Sequence, residues 1–165
     1  MRIKMKRGDL FNFFDRDEYK KFSIAHCISR DCAMGKGIAV EFKKRFGGVA
    51  ELKKQAATAK KTIKNVYNKD FSHLEPTGGT LFTLERADRS ICYLITKEYY
   101  YQKPTYSSLR ESLEDMRDFL VSKSIPGVLM PKIGCGLDRL DWDKVVRIIE
   151  ETFQSTPIEV IVCTL

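Results

Sequence analysis

Phe22-Ser-Ile-Ala-His-Cys-Ile28 runs, within a few residues, into Asp31-Cys-Ala-Met-Gly-Lys-Gly-Ile-Ala39. The first stretch is a short apolar run and reads as a buried strand. The second is a glycine-containing loop, followed by Ile38, Phe42 and Phe46 at helical spacing and by Gly47-Gly48 as a helix stop. Strand, glycine loop and helix in that order form the repeating unit of a covered, largely parallel sheet. In such sheets ligands bind beyond the carboxyl ends of strands, where loops enter helices. Glycine lets backbone N–H groups approach a phosphate, and a helix N-terminus adds a favourable dipole. The loop lacks the third glycine of the dinucleotide fingerprint and the Gly-Lys-Ser/Thr of a Walker loop. A phosphate cradle and a plain glycine turn both fit it.

The same unit recurs further along. Gly127-Val-Leu-Met130 reads as a buried strand and Pro131 to Arg139 as a loop. Asp141 caps the next helix, with Leu140 and Val145 placed as a hydrophobic staple. The loop carries Lys132-Ile-Gly-Cys-Gly-Leu-Asp138. Two glycine loops at equivalent strand ends are placed to grip both sides of a diphosphate. Around these units, Arg2 to Lys6 alternates like a strand and leads into Gly8-Asp9-Leu10-Phe11. Thr80–Leu84 and Ser90–Thr96 read as paired strands joined by an Ala87-Asp-Arg turn. Pro104-Thr105 opens a helix whose apolar stripe is Leu109, Leu113, Met116 and Leu120. Ile158 to Cys163 forms a last strand. A helix from Val49 fades into a lysine-rich stretch, and 58–79 has no clean period; it reads as a polar excursion with a turn at Pro76-Thr-Gly-Gly79.

The chain has 165 residues, 43% hydrophobic and 31% charged, which fits one domain with a real core and excludes a disordered chain. No apolar run approaches the ~20 residues of a membrane span. The N-terminus lacks the apolar segment of a signal peptide. The five cysteines are scattered, odd in number and form no CxxC pair, which disfavours zinc and suits free thiols in cytosol or nucleus. A formal charge of +7 favours anionic partners: nucleic acid, phosphate polymers or phosphorylated metabolites. Part of that excess lies between Lys53 and Lys69, where a merely solvated face is the alternative.

Lys97 directly follows the apolar run Ile91 to Thr96. It either ends a strand in solvent or is a partly buried amine, tuned toward the nucleophilic form by its surroundings. Asp138 is either a carboxylate favoured by a helix entrance or the acid–base partner of that amine. His26, inside an apolar run, reads as a hydrogen-bonded core histidine rather than a catalyst, and His73 as exposed. Tyr99-Tyr-Tyr101 reads as a loop covering the core or as a stacking surface for a base.

Several of these stretches resemble a known family. His26 to Gly48, Leu94-Ile-Thr-Lys97, Lys103-Pro-Thr-Tyr106, Pro131 to Leu140 and the terminal Thr164-Leu165 resemble, in order, the macrodomain family. Within it the terminal ADP-ribose protein glycohydrolase branch, related to the macrodomain of a chromatin remodeller, matches best. The resemblance implies a three-layer α/β/α fold, with a mixed, mostly parallel six-stranded sheet and ADP-ribose in a cleft along its top. It implies that Asp9 recognises the adenine amino group and that Leu10 and Leu165 line the nucleoside end. Ser29, Gly35, Gly37 and Ile38 would follow the diphosphate and distal ribose on one side, and Lys132, Ile133, Gly134, Cys135, Gly136 and Leu137 on the other. In that branch the lysine matching Lys97 attacks the anomeric carbon of the distal ribose and expels a protein carboxylate. The aspartate matching Asp138 acts as acid and base and resolves the lysyl adduct. The implied substrate is mono-ADP-ribose esterified to glutamate or aspartate, with O-acetyl-ADP-ribose secondary and no metal or cofactor needed. Many macrodomains carry an asparagine in the first loop. Asp31 stands nearby here, which suits the lysine-dependent branch. Arg30, Lys36 and the 58–79 excursion depart from the branch and bear on substrate preference.

Three other readings stand beside the hydrolase: a non-catalytic reader of ADP-ribose or its polymer, a phosphatase of ADP-ribose 1″-phosphate, and a hydrolase of nucleic-acid-linked ADP-ribose. Lys97 and Asp138 together favour an enzyme, since a reader needs neither. The expected state is a monomer in nucleus or cytoplasm.

Overall fold

The computed structural model describes residues 3–58 and 80–165. Among these residues six strands form one sheet in the order β1-β6-β5-β2-β4-β3. They are β1 (Ile3–Arg7), β2 (Ser23–Ser29), β3 (Leu81–Arg86), β4 (Arg89–Lys97), β5 (Gly127–Met130) and β6 (Glu159–Thr164). Every pairing is parallel except β3 with β4. The helices are α1 (Leu10–Phe14), α2 (Ile38–Phe46), α3 (Val49–Thr58), α4 (Tyr106–Ser122) and α5 (Trp142–Phe153). The mixed, mostly parallel sheet of the sequence reading is present. The excursion expected at 58–79, His73 included, lies outside the described residues beyond Thr58.

Alternation along the strands builds two cores. Ile24, Ile28, Tyr93, Ile95, Leu129 and Ile161 face α1, α2 and α3. Ala25, Cys92, Leu94, Val128, Met130, Val160 and Val162 face α4 and α5. Because both faces are covered, β2, β4 and β5 read as continuous apolar runs rather than alternating ones. The stripe Leu109, Leu113, Met116 and Leu120 of α4 is fully buried. Thr105 caps α4 in a reciprocal box with Ser108, and Asp141 caps α5 through the Asp143 amide.

Two local expectations change. The β3–β4 turn is Ala87-Asp88 alone, both residues at positive φ, and Arg89 already belongs to β4. Its guanidinium donates to the carbonyls of Phe14, Tyr19 and Phe22 and lies 3.3 Å over the Phe14 ring, tying down the short α1 and the turn Asp17–Tyr19. His26 is a core residue but not a hydrogen-bonded one. It stacks on Phe42 at 3.7 Å and meets Tyr93 edge-on, and neither ring nitrogen has a partner among the described residues. Burial lowers its pKa to about 3, so it is held neutral.

Strand lengths shape the functional end. Ile24 pairs with Leu129, so β5 ends at Met130 level with Ala25, whereas β2 continues through His26, Cys27, Ile28 and Ser29. That is about 13 Å of strand without its neighbour on that side. β6 also outruns β5, since Val162 pairs with Met130 and the strand reaches Thr164. The carboxyl edge of the sheet therefore carries a notch above β5, and the loop 131–140 fills its flank.

Candidate active site

Ser29 and Lys97 end neighbouring parallel strands and pair directly, across a register shift after Ile28 that skips Thr96. Such a bulge re-aims the side chains beyond it. Lys97 Nζ lies 2.7 Å from Asp138 Oδ1, with the two side chains 14% and 18% exposed. Lys97 is thus a largely buried side chain rather than a strand end in solvent, and Asp138 is its ion-pair partner. They are 41 residues apart in the chain, and the notch brings them together.

The Cys27 thiol belongs to the same corner. Burial, reinforced by the charge on Asp138, pushes its pKa far up, while the Gly134 amide points at its sulfur. Burial also raises Cys135, whose Sγ donates to the Ile133 carbonyl. Both stay thiols at neutral pH and are poor nucleophiles. Neither therefore competes with the Lys97 amine as the candidate nucleophile of this corner.

The first loop leaves β2 at Ser29 and enters α2 at Ile38. It is pinned by the buried side chains of Cys32 and Met34, both with backbones at positive φ (57° and 46°), an uncommon conformation for residues with side chains. Gly37 caps α2 at φ 63° and ψ −149°, a region open essentially to glycine alone. Gly35 and Lys36 are exposed beside it. Arg30, in this loop, donates to the Ala56 carbonyl of α3 and faces Glu98 at 3.9 Å.

The second loop is folded on itself. Leu140 N donates to Gly134 O at 2.7 Å and Arg139 N to Gly136 O at 3.2 Å. Gly134 sits at φ 73°, and a methyl there would meet Leu140 at 2.9 Å. Ile133 is buried in the core, so toward a ligand it offers backbone rather than side chain. Lys132 lies over the Trp142 ring. Leu137 is exposed and reaches across: a methyl on Gly37 would stand 3.6 Å from its Cδ1. The two glycine loops thus approach each other at Gly37 and Leu137.

At the far end of the same edge, Asp9 follows β1 and stands at the start of α1 without a side-chain bond to that helix. Leu165 follows β6 and is almost fully exposed, whereas Leu10 is packed into the core. From β1 to β4 the edge crosses four strand spacings, about 19 Å. Tyr99, Tyr100 and Tyr101 sit just beyond Lys97 and are 50%, 65% and 71% exposed. Tyr99 stacks on Tyr101 and Tyr100 meets Tyr101 edge-on, so they pack on one another and the core-covering reading is corrected.

Asp31 is the member of this region that sequence reasoning left without a task. Its carboxylate accepts from the Ser29 hydroxyl, from Ala33 N–H and from Tyr100 N–H. Nothing local announces the last bond, which links residues 69 apart.

Known proteins are similar along nearly the whole chain. The bovine (Bos taurus) protein named ADP-ribose glycohydrolase OARD1 is 44% identical over 164 residues, spanning 99% of this chain and 92% of that one. The human protein of the same name is 43% identical with the same coverage. Among solved structures, the macrodomain of Mycobacterium tuberculosis DarG superposes with a TM-score of 0.77 at 22% identity, covering 99% of this chain and 97% of that one. The family model described as Macro domain matches residues 25–149, which takes in both glycine loops, Lys97 and Asp138. By sequence and by architecture alike, the chain belongs to the macro domain family.

Proposed function

We propose that this protein is a hydrolase of ADP-ribosyl linkages that removes mono-ADP-ribose from glutamate or aspartate of proteins through a lysyl–ADP-ribose intermediate. The observation that carries the reading is the 2.7 Å contact between Lys97 and Asp138 at the edge of the cleft. The names of the two mammalian relatives support the coarser part, hydrolysis of ADP-ribose linkages. The ester linkage and the covalent intermediate are what the resemblance to the glycohydrolase branch implies for a lysine and an aspartate so paired.

The ligand would lie along the carboxyl edge. Its adenine sits toward Asp9 and Leu165, its diphosphate between the two glycine loops, and its distal ribose at Lys97. Backbone N–H groups of the two glycine loops and the N-terminus of α2 suit the diphosphate. Asp138 takes a proton from the Lys97 ammonium. The freed amine bonds to the anomeric carbon as the bond from that carbon to the acyl oxygen breaks, and the carboxylate leaves. Asp138 then releases that proton to solvent and takes another from a water. That water adds to the anomeric carbon, the bond to the lysine nitrogen breaks, and ADP-ribose departs with the amine restored. A carboxylate is a good leaving group, so one positioned amine and one carboxyl group suffice.

Incubating wild type and Asp138→Ala with glutamate-linked ADP-ribosylated protein, followed by intact mass spectrometry, tests this. Free ADP-ribose from wild type and an adduct on Lys97 in the variant are expected. Tight ADP-ribose binding with neither release nor adduct would leave a reader module.

A second reading, ADP-ribose carried on nucleic acid, is favoured by the exposed tyrosines beside Lys97, on which a base can stack. It predicts release from modified DNA or RNA that weakens as salt rises.

A further inference from the structure

We propose that Asp31 is a positioning residue for Lys97, acting through the turn that follows the lysine; the inference rests on the lysine reading above. Lys97 is the last residue of β4, so the chain leaves the sheet at the point where its placement matters most. On the upstream side the strand ladder fixes it. On the downstream side little apolar burial helps, because the three tyrosines of the turn are half exposed or more.

Hydrogen bonds take over there. Arg30 N donates to the carbonyl of Lys97 itself at 2.8 Å, and Asp31 N to the carbonyl of Glu98 at 3.1 Å. The turn is closed within itself by Tyr99 N to Gln102 Oε1 at 2.9 Å and Gln102 N to Tyr99 O at 3.0 Å. The Asp31 carboxylate then clasps this stiff unit to the first loop, and its two oxygens have separate tasks. Oδ2 accepts from Tyr100 N–H at 3.0 Å. Oδ1 accepts from Ala33 N–H at 3.2 Å and from the Ser29 hydroxyl. Bonds to an ionised acceptor are the strong kind, and here they set backbone rather than side chain. If the clasp opens, the turn swings about the end of β4. The Lys97 stem swings with it, and Nζ loses its alignment with Asp138.

The test compares wild type, Asp31→Ala and Asp31→Asn on glutamate-linked ADP-ribosylated peptide, with Lys97→Ala as the inactive control. Loss of the clasp should lower kcat by about 10- to 100-fold, the cost of a misplacement near 1 Å. Affinity for ADP-ribose should fall far less. Asparagine keeps one oxygen but sets an NH₂ against a donor on the other side, so it should recover only part of the rate. Amide hydrogen exchange at Tyr100 and Gln102 should quicken in Asp31→Ala while Ile91 to Ile95 of β4 stay protected. Wild-type kcat in Asp31→Ala would overturn the proposal. Unchanged exchange at Tyr100, or faster exchange throughout β4, would do the same, the last marking a merely structural role. Absence of turnover in wild type would remove the lysine reading, and the positioning role with it.

Discussion

Replacing His26 by phenylalanine isolates the energetic consequence of a buried base without a partner. The imidazole is fully buried, stacked on Phe42 and unbonded at both nitrogens among the described residues. Burial holds its pKa near 3 in the fold, against 6.5 for an exposed histidine. The unfolded chain therefore binds a proton that the folded one refuses. The stability present above about pH 6.5 is lost as pH falls toward 3. At pH 5 the unfolded side chain is protonated to the extent of roughly 1.5 pH units of free energy and the folded one hardly at all. At 1.36 kcal/mol per unit the loss is about 2 kcal/mol. Phenylalanine fills the same stacked space and does not titrate. Urea unfolding followed by tryptophan fluorescence, from pH 7.5 to 5, should show wild type losing about 2 kcal/mol more than His26→Phe. Parallel profiles for the two proteins would refute the reasoning. They would mean either that His26 finds a partner or that the core admits its charge.

Other consequences are as direct. Arg89→Ala should cost about 3 kcal/mol in urea unfolding, since it removes a donor shared by the carbonyls of Phe14, Tyr19 and Phe22; Arg89→Lys, a single point donor, should recover less than half. Gly134→Ala should destabilise by about 1–3 kcal/mol, because its φ is positive and Leu140 blocks the new methyl. Gly136→Ala, with nothing within 4 Å, should stay within ~0.5 kcal/mol of wild type in the same assay. Lys97→Ala should abolish release of ADP-ribose while isothermal titration still reports binding of the free ligand.

The layered sheet was legible because strand, glycine loop and helix follow one another with the periods each element demands. The run from Ile24 to Ile28, then Ile38, Phe42 and Phe46, is an instance. The loops were legible because Gly37 and Gly134 hold conformations a side chain would strain. What escaped depends on contacts far apart in sequence. The helix Leu10–Phe14 is too short to show a period, and much of its anchoring comes from Arg89, a residue that reads locally as part of a turn. His26 looked like a bonded histidine because a run of residue types says nothing about which faces surround a ring. The task of the Asp31 carboxylate was not readable, since its bond to Tyr100 exists only once β2 and β4 lie side by side. Lys97 and Asp138 stood out as candidates by their places at a strand end and a helix entrance, and family resemblance gave them roles, but their contact is a product of strand order.

The shortness of β5 has a thermodynamic meaning. A groove hollowed out of a close-packed interior strips contacts from its lining, at about 24 cal/mol for each Å³ left empty. Here the groove lies beyond the interior, where one strand stops before its neighbours, and Val128, Leu129 and Met130 beneath it remain completely buried. Concavity obtained by ending a strand leaves the hydrophobic layers below intact. The residues that grip the ligand can then change without loosening the two cores, and those that fill the cores can be repacked without reshaping the groove.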